Sequence, residues 1–214
     1  MAEVERATEW SGRRGWLGAL LMVSPVRRLE EALLGRSSAR LLGHVFSYLD
    51  HGATVLDAGC GSGYLSLPIA ARLATGRVIC VDLSQEMLAV LARRARARAV
   101  EGRIETVRAA VDSTGLEKGS VDILVSNNLL HELREPATAV TEWMRLLKPG
   151  GRIAISDYRA TRLTGLIMRH GHGENAHGPF DTIGLASLLE RAGFEEVRVI
   201  PCRNKLLALA KKPS

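Results

Sequence analysis

The densest chemistry in the sequence lies at Asp57-Ala58-Gly59-Cys60-Gly61-Ser62-Gly63-Tyr64, directly after the apolar pair Val55-Leu56. Glycines at 59, 61 and 63 permit a tight turn and let a ligand approach the backbone closely. The N–H groups that open a following helix can hold an anion. A plain strand-to-helix turn does not need three alternating glycines, so the motif reads as a ligand loop. It is not a P-loop, because no Gly-Lys-Ser/Thr follows. It departs from the dinucleotide pattern Gly-x-Gly-x-x-Gly, which would need glycine where Tyr64 stands. About 20 residues on, Ile79-Cys80-Val81-Asp82 puts an acid where a ribose diol is gripped. Helix capping is the other use for an aspartate here, but Ser84 is placed to cap ahead of Gln85. The combination suits an adenosine-like ligand with a small anionic end, and it does not require a pyrophosphate.

A second polar cluster, Ser126-Asn127-Asn128-Leu129-Leu130-His131-Glu132, follows an apolar run. His131 can act as a general base, since an imidazole titrates near neutral pH. It can equally cap a loop through a local hydrogen bond. Asp157 and Tyr158 end a later apolar run and are further polar candidates for a pocket. The glycine-rich stretch from Arg169 to Pro179 carries His170, His172 and His177. These are weak metal candidates, because their spacing matches no standard site, and a mobile lid suits the stretch better. Cys60, Cys80 and Cys202 show neither metal nor redox spacing.

Alternating strands and helices are needed to bring these groups together. The patterning predicts strands at 54–57, 77–82, 103–109, 121–126 and 152–157, with helices at 62–73, 85–100 and 135–147 between them. A helix at 183–192 ends at Gly193, and strands at 197–202 and 205–210 are joined by a tight turn at Arg203-Asn204. Helical crossovers make a parallel sheet. The last connection is too short for a crossover, so that pair is antiparallel. The fold class is therefore α/β, a doubly wound and mostly parallel seven-stranded sheet. Ahead of it, Leu29, Leu33, Leu41, Leu42, Val45, Phe46 and Leu49 fall at helical spacing, with a break near Gly35 to Ser38. One domain is expected: a helical cap over 1–50, a ligand-binding core over 51–160, a lid over 161–182, and a last helix and strand pair over 183–214. Ligands of such sheets bind beyond the carboxyl ends of the strands.

Asp57-Ala-Gly-Cys-Gly-Ser-Gly63, Val81-Asp82-Leu-Ser84 and Leu146-Leu-Lys-Pro-Gly-Gly-Arg152, in that order, resemble the class I S-adenosylmethionine-dependent methyltransferases. Within these the chain is similar to the type 11 branch that includes the ubiquinone/menaquinone methyltransferases. The resemblance spans residues from about 45 to about 200 by motif order. It implies a Rossmann-like methyltransferase fold with S-adenosylmethionine as cofactor and S-adenosylhomocysteine as product. It also implies roles for individual residues. Gly59, Cys60, Gly61 and Gly63 would cradle the methionine part, and Asp57 would order the turn and reach the ammonium through water. Asp82 would accept from both ribose hydroxyls, with Leu83 against the adenine. The family usually has an acid just after strand three to read the adenine amino group. Here Ala110 stands in that place, so either Asp112 reaches in or the backbone of Ala110 and Val111 does the reading. Asn127 and Asn128 would face the transferring methyl, and His131 matches a histidine common in the small-molecule branch. The Asp/Asn-Pro-Pro-aromatic tetrad of enzymes that methylate adenine N6 or glutamine is missing.

Composition narrows the rest. With 46% apolar and 24% charged residues the chain is not disordered, and with 4% aromatics its core must be mainly aliphatic. The longest apolar run, Trp16 to Val23, is too short to span a bilayer. Arg13-Arg14 precedes it, but no small-residue cleavage site follows, so a twin-arginine leader is discounted. Three cysteines favour a reducing, cytoplasmic setting. A net charge of +6 is compatible with nucleic acid, an anionic membrane or an acidic substrate. The arginines at 93, 94, 96 and 98 spread around their helix as a solvated face, which disfavours nucleic acid. Peripheral membrane contact and a homodimer stay open. The reading is methyl transfer to a small-molecule acceptor by in-line displacement. The alternatives are RNA methylation, nicotinamide-dependent oxidoreduction, and cofactor binding without catalysis.

Overall fold

Val55 and Leu56 are adjacent in one strand and both fully buried. Their side chains point to opposite faces, so the sheet must be covered on both sides. The computed structural model, which describes residues 37–165 and 177–214, shows how. Seven strands, β1 (Thr54–Ala58), β2 (Arg77–Asp82), β3 (Ile104–Arg108), β4 (Val121–Asn127), β5 (Leu147–Tyr158), β6 (Glu195–Cys202) and β7 (Lys205–Lys211), form one sheet. Their order is β3-β2-β1-β4-β5-β7-β6. Strands β3 to β5 run parallel through β2, β1 and β4, and β7 is antiparallel to both neighbours. The expected doubly wound sheet with one reversed strand next to an edge is present.

The alternation of side chains sorts the core into two layers. Leu56, Ile79, Leu124, Ile153, Ile155 and Leu206 pack on one face under α4 (Pro136–Leu146) and α5 (Thr182–Arg191). Val55, Val78, Ile123, Val125, Ala154 and Leu207 pack on the other, under α1 (Ser37–Tyr48), α2 (Ser66–Ala70) and α3 (Gln85–Arg96). Helix α4 opens at Pro136 and buries Trp143, whose indole N–H donates to the Val111 carbonyl at 3.0 Å. Ser84 caps α3 by accepting from the Met87 N–H, so capping does not depend on Asp82.

The largest departures from the expected boundaries fall at α2, β5 and α3. The helix expected over 62–73 is only Ser66–Ala70, because positive φ at Gly61 and Gly63 holds the chain in turns as far as Leu65. A five-residue helix supplies little dipole, so the anion site expected at its start is not built there. Strand β5 begins at Leu147 and not at Arg152: Leu147 pairs with Val121 ahead of the Pro-Gly-Gly bulge, and Arg152 pairs with Ile123 after it. The expected helix over 85–100 stops at Arg96. Ser37 and Ser38, expected to belong to a break after Gly35, instead form the start of α1. The rest of the N-terminal cap, and most of the expected lid including His170 and His172, lie outside the described residues.

Candidate functional site

The chain order reverses between β1 and β4, which flank each other, and the carboxyl ends of β1, β2, β4 and β5 share one edge of the sheet. This is where an open α/β sheet forms its crevice. The glycine loop leaves β1 here, tied down by Gly59 and Cys60 N–H bonds to the Val81 carbonyl at 2.9 and 3.0 Å. Gly63 has φ +86°, and a Cβ there would stand 2.2 Å from Leu91 Cδ1. Gly61 has φ +50°, and a Cβ there would meet no atom within 4 Å. One glycine therefore serves packing and the other leaves open space over the loop. Arg94 fastens the loop to α3 through a 3.0 Å bond to Ser62 Oγ.

Asp82 sits under that open space. Its Oδ2 accepts the Gly61 N–H at 2.8 Å and its Oδ1 accepts the Ser84 N–H at 2.9 Å. Each carboxylate oxygen can accept two hydrogen bonds, so the pair retains capacity for a vicinal diol. Burial raises its carboxyl above the ordinary value, against the pull of the Ser84, Gly61 and Leu83 N–H groups. Asp57 is 2% exposed and bonded to the Ser66 hydroxyl. Burial pushes it up to about 7, with the Ser66 bond opposing. Burial also pushes the Cys60 thiol up, with Cys80 beside it, which makes it a poor nucleophile.

Of the residues expected beyond strand three, Ala110 and Val111 are buried and Asp112 is half-buried. The Val111 carbonyl is engaged by Trp143 and the Ala110 carbonyl by the Ser113 N–H. Leu83 is half-buried at the end of β2.

The other end of the edge is built from β4, β5 and β7. Asn127 Oδ1 accepts from Ser38 at 2.8 Å, which ties α1 to the end of β4, and Ser37 and Ser156 hydroxyls meet at 2.8 Å beside it. Asn128 has φ +56°, and its Oδ1 accepts from Lys205 Nζ at 2.6 Å. His131 Nδ1 lies 2.7 Å from Asp157 Oδ1, with both side chains buried. Asp157, expected to face a pocket, is instead fully buried and turned to His131; it also accepts the Tyr158 N–H at 2.6 Å. Burial alone would lower the His131 pKa, but the Asp157 carboxylate overcomes this and holds it above the ordinary value. Burial alone would raise Asp157, and the imidazolium overcomes that and holds the carboxyl low. The Tyr158 ring meets the His131 ring edge-on at 4.7 Å and lies 3.3 Å from Lys205 Nζ.

Lys205 was missed in the sequence. The signal was there: Leu206 and Leu207 are both apolar, so their strand is covered on two sides, and a lysine at its start cannot reach water freely. His177 stacks on Phe180 at 4.5 Å. Among the described residues no three His, Cys, Asp or Glu side chains gather as a metal site. The cleft between α4 and α5, about 440 Å³ and lined by Thr141, His177, Phe180 and Arg191 among others, takes in neither the glycine loop nor Asp82.

Residues 56–155 match the family model described as a methyltransferase domain. The arsenite methyltransferase of Halobacterium salinarum is 29% identical over 172 residues, 73% of this chain and 41% of that protein. The ubiquinone biosynthesis O-methyltransferase of Xanthomonas oryzae pv. oryzae is 34% identical over 124 residues, 56% of this chain and 49% of that protein. The chain thus spans less than half the length of these relatives. Among solved structures, the [4+2]-cyclase SpnF superposes with a TM-score of 0.68 at 22% identity, covering 81% of each chain, which is a likeness of fold.

Proposed function

We propose that the chain, whose residues 56–155 match a methyltransferase domain, is a class I S-adenosylmethionine-dependent methyltransferase that transfers a methyl group from that cofactor to a small-molecule acceptor. The observation that carries this reading is the pairing, along one sheet edge, of an open glycine loop over a half-buried carboxylate with a buried His–Asp dyad. The open space at Gly61 and the remaining acceptor capacity of Asp82 fit a nucleoside whose amino-acid tail crosses the loop. When bound, S-adenosylmethionine supplies an electrophilic methyl on a sulfonium.

The chain's own residues do the rest. Asp82 holds the two ribose hydroxyls, and Gly59, Cys60, Gly61 and Gly63 carry the methionine part. Asp57 orders the turn from behind the loop, bonded to Ser66, and reaches the ammonium through water. Leu83 and the 110–112 turn flank the adenine. Asn127 and Asn128 shape the wall between cofactor and acceptor. His131 takes a proton from the acceptor, and Asp157 stabilises and orients the resulting imidazolium. Most of the acceleration comes from alignment of the acceptor with the methyl carbon, since the sulfonium already leaves readily. The acceptor lies at the β4-β5-β7 edge. The three free cysteines suit a cytoplasmic setting, and no helix among the described residues is long and apolar enough to cross a membrane.

Calorimetric titration with S-adenosylhomocysteine and with NAD(P) tests the reading. Saturable binding of the first and none of the second is expected. Binding of the dinucleotide alone would overturn it and favour an oxidoreductase.

A further inference from the structure

Of the arginines spread around α3, Arg93, Arg96 and Arg98 are exposed. Arg94 is half-buried, and its Nη1 donates to the Ser62 carbonyl at 2.5 Å and to the Ser62 hydroxyl at 3.0 Å. Among the described residues it pairs with no carboxylate; burial works against its charge, and Arg98 adds repulsion. A guanidinium drawn out of water needs acceptors to offset its desolvation, and Ser62 supplies them. Ser62 lies in the glycine loop between Gly61 and Gly63 and is 5% exposed. The other amides from 59 to 63 are taken. Gly59 and Cys60 donate to the Val81 carbonyl, Gly61 to Asp82 Oδ2, and Gly63 to the Cys60 carbonyl at 2.9 Å. The Ser62 N–H has no acceptor among the described residues. A buried backbone N–H without a partner is rare in folded proteins, and it marks a place for a ligand or a water.

Arg94 thus holds Ser62 by its carbonyl and its side chain, and leaves the N–H as that residue's open polar group. Burial of the loop does not depend on the guanidinium, because Leu91, three residues earlier on α3, already packs against Gly63. We propose that Arg94 is a positioning residue for the amino-acid tail of the cofactor: it fixes Ser62 in the conformation that offers this N–H to the tail's carboxylate. This rests on the methyltransferase reading and deepens it. The ribose, on the same reading, belongs to Asp82, which fastens the loop at Gly61 and makes no hydrogen bond or ion pair with Arg94. The two halves of the cofactor therefore answer to different residues, and loss of Arg94 falls on the tail alone.

Two ligands that differ only in the tail test this. S-adenosylhomocysteine carries it, and 5′-methylthioadenosine keeps the nucleoside and the sulfur with a methyl in its place. Both are titrated calorimetrically into the wild type, Arg94→Met and Arg94→Lys. The wild type is expected to bind S-adenosylhomocysteine the more tightly. Arg94→Met is expected to weaken that binding by about tenfold while its affinity for 5′-methylthioadenosine stays that of the wild type. Arg94→Lys keeps a donor and a charge on a shorter stem, so it is expected to lose part of the difference. An Arg94→Met protein that keeps both affinities, or loses both by the same factor, overturns the role, since a residue that serves the fold alone cannot separate the two ligands. Should Arg94→Met fail to unfold cooperatively on heating, Arg94→Lys is read by the same ratio, and a wild-type ratio in it overturns the role. A wild type that binds neither compound removes the methyltransferase reading itself, whereas one that binds both equally removes only the contact to the tail, and the two failures are thereby distinguished.

Discussion

Asp82 and His131 do different work because their surroundings differ. Asp82 spends one lone pair on each oxygen to position the loop and α3, and the remainder are the acceptors proposed for a ligand diol. Asp82→Ala should weaken S-adenosylhomocysteine binding by about tenfold or more, read by calorimetry; an unchanged Kd would remove Asp82 from the site. His131 is governed by Asp157, which holds its pKa above the ordinary value of about 6.5. In an NMR titration of the ring, the wild-type midpoint should lie above that value, and Asp157→Asn should bring it down. If both midpoints coincide, Asp157 does not set the basicity of the ring. As a base His131 works when neutral, so kcat should rise with pH through its raised pKa. His131→Gln should cost on the order of 10²- to 10⁴-fold in kcat while leaving cofactor affinity alone. At this scale the spacing of Asp82 from the glycines was sufficient to bring it to the loop that it hydrogen-bonds. The link from His131 to Asp157 was not legible, because 26 residues and a helix separate them and only the β4-β5 pairing brings them to 2.7 Å.

The glycine loop shows what an element adds to its residues. Gly61 and Gly63 look alike in sequence and both have positive φ, but they face different neighbours. Gly63→Ala drives a methyl into Leu91 and strains the backbone, so it should destabilise the fold by about 1–3 kcal/mol in thermal or urea unfolding. Gly61→Ala meets open space, so beyond a backbone penalty of about 1 kcal/mol its main effect should fall on cofactor affinity. A Gly61→Ala protein that binds S-adenosylhomocysteine as tightly as the wild type would show that the open space is not the cradle. The alternation of strands and helices, the reversed last strand and the Ser84 cap were all readable from periodicity and turn chemistry. The length of α2 was not, because apolar spacing over 65–73 is helical whether or not the preceding glycines allow the first turn. Nor was the early start of β5, where Leu147 joins the sheet before the bulge.

Across the whole molecule, two buried carboxylates pull stability in opposite directions with pH. Asp57 has its folded pKa raised to about 7 by burial, so its contribution is complete below its unfolded value of about 3.9 and is lost as pH rises through about 7. Asp157 has its folded pKa lowered, so its contribution is present above about 3.9 and is lost as pH falls through the lower folded value. Thermal unfolding of Asp57→Asn between pH 4 and 8 should therefore be flatter than that of the wild type, with the variant relatively more stable toward the alkaline end; parallel curves would show that Asp57 ionises as freely folded as unfolded. The two-layer core explains why a chain with 4% aromatics holds together: every central strand is covered on both faces by aliphatic side chains. The insertion of β7 between β5 and β6 has a last consequence, in time rather than in space. On the ribosome, β1 to β5 can assemble while residues 195–211 are still being made, so the nucleoside half of the crevice can close first. The other half waits for Lys205 to emerge and pair beside Tyr158, so the two ends of one sheet edge are completed at different moments of synthesis.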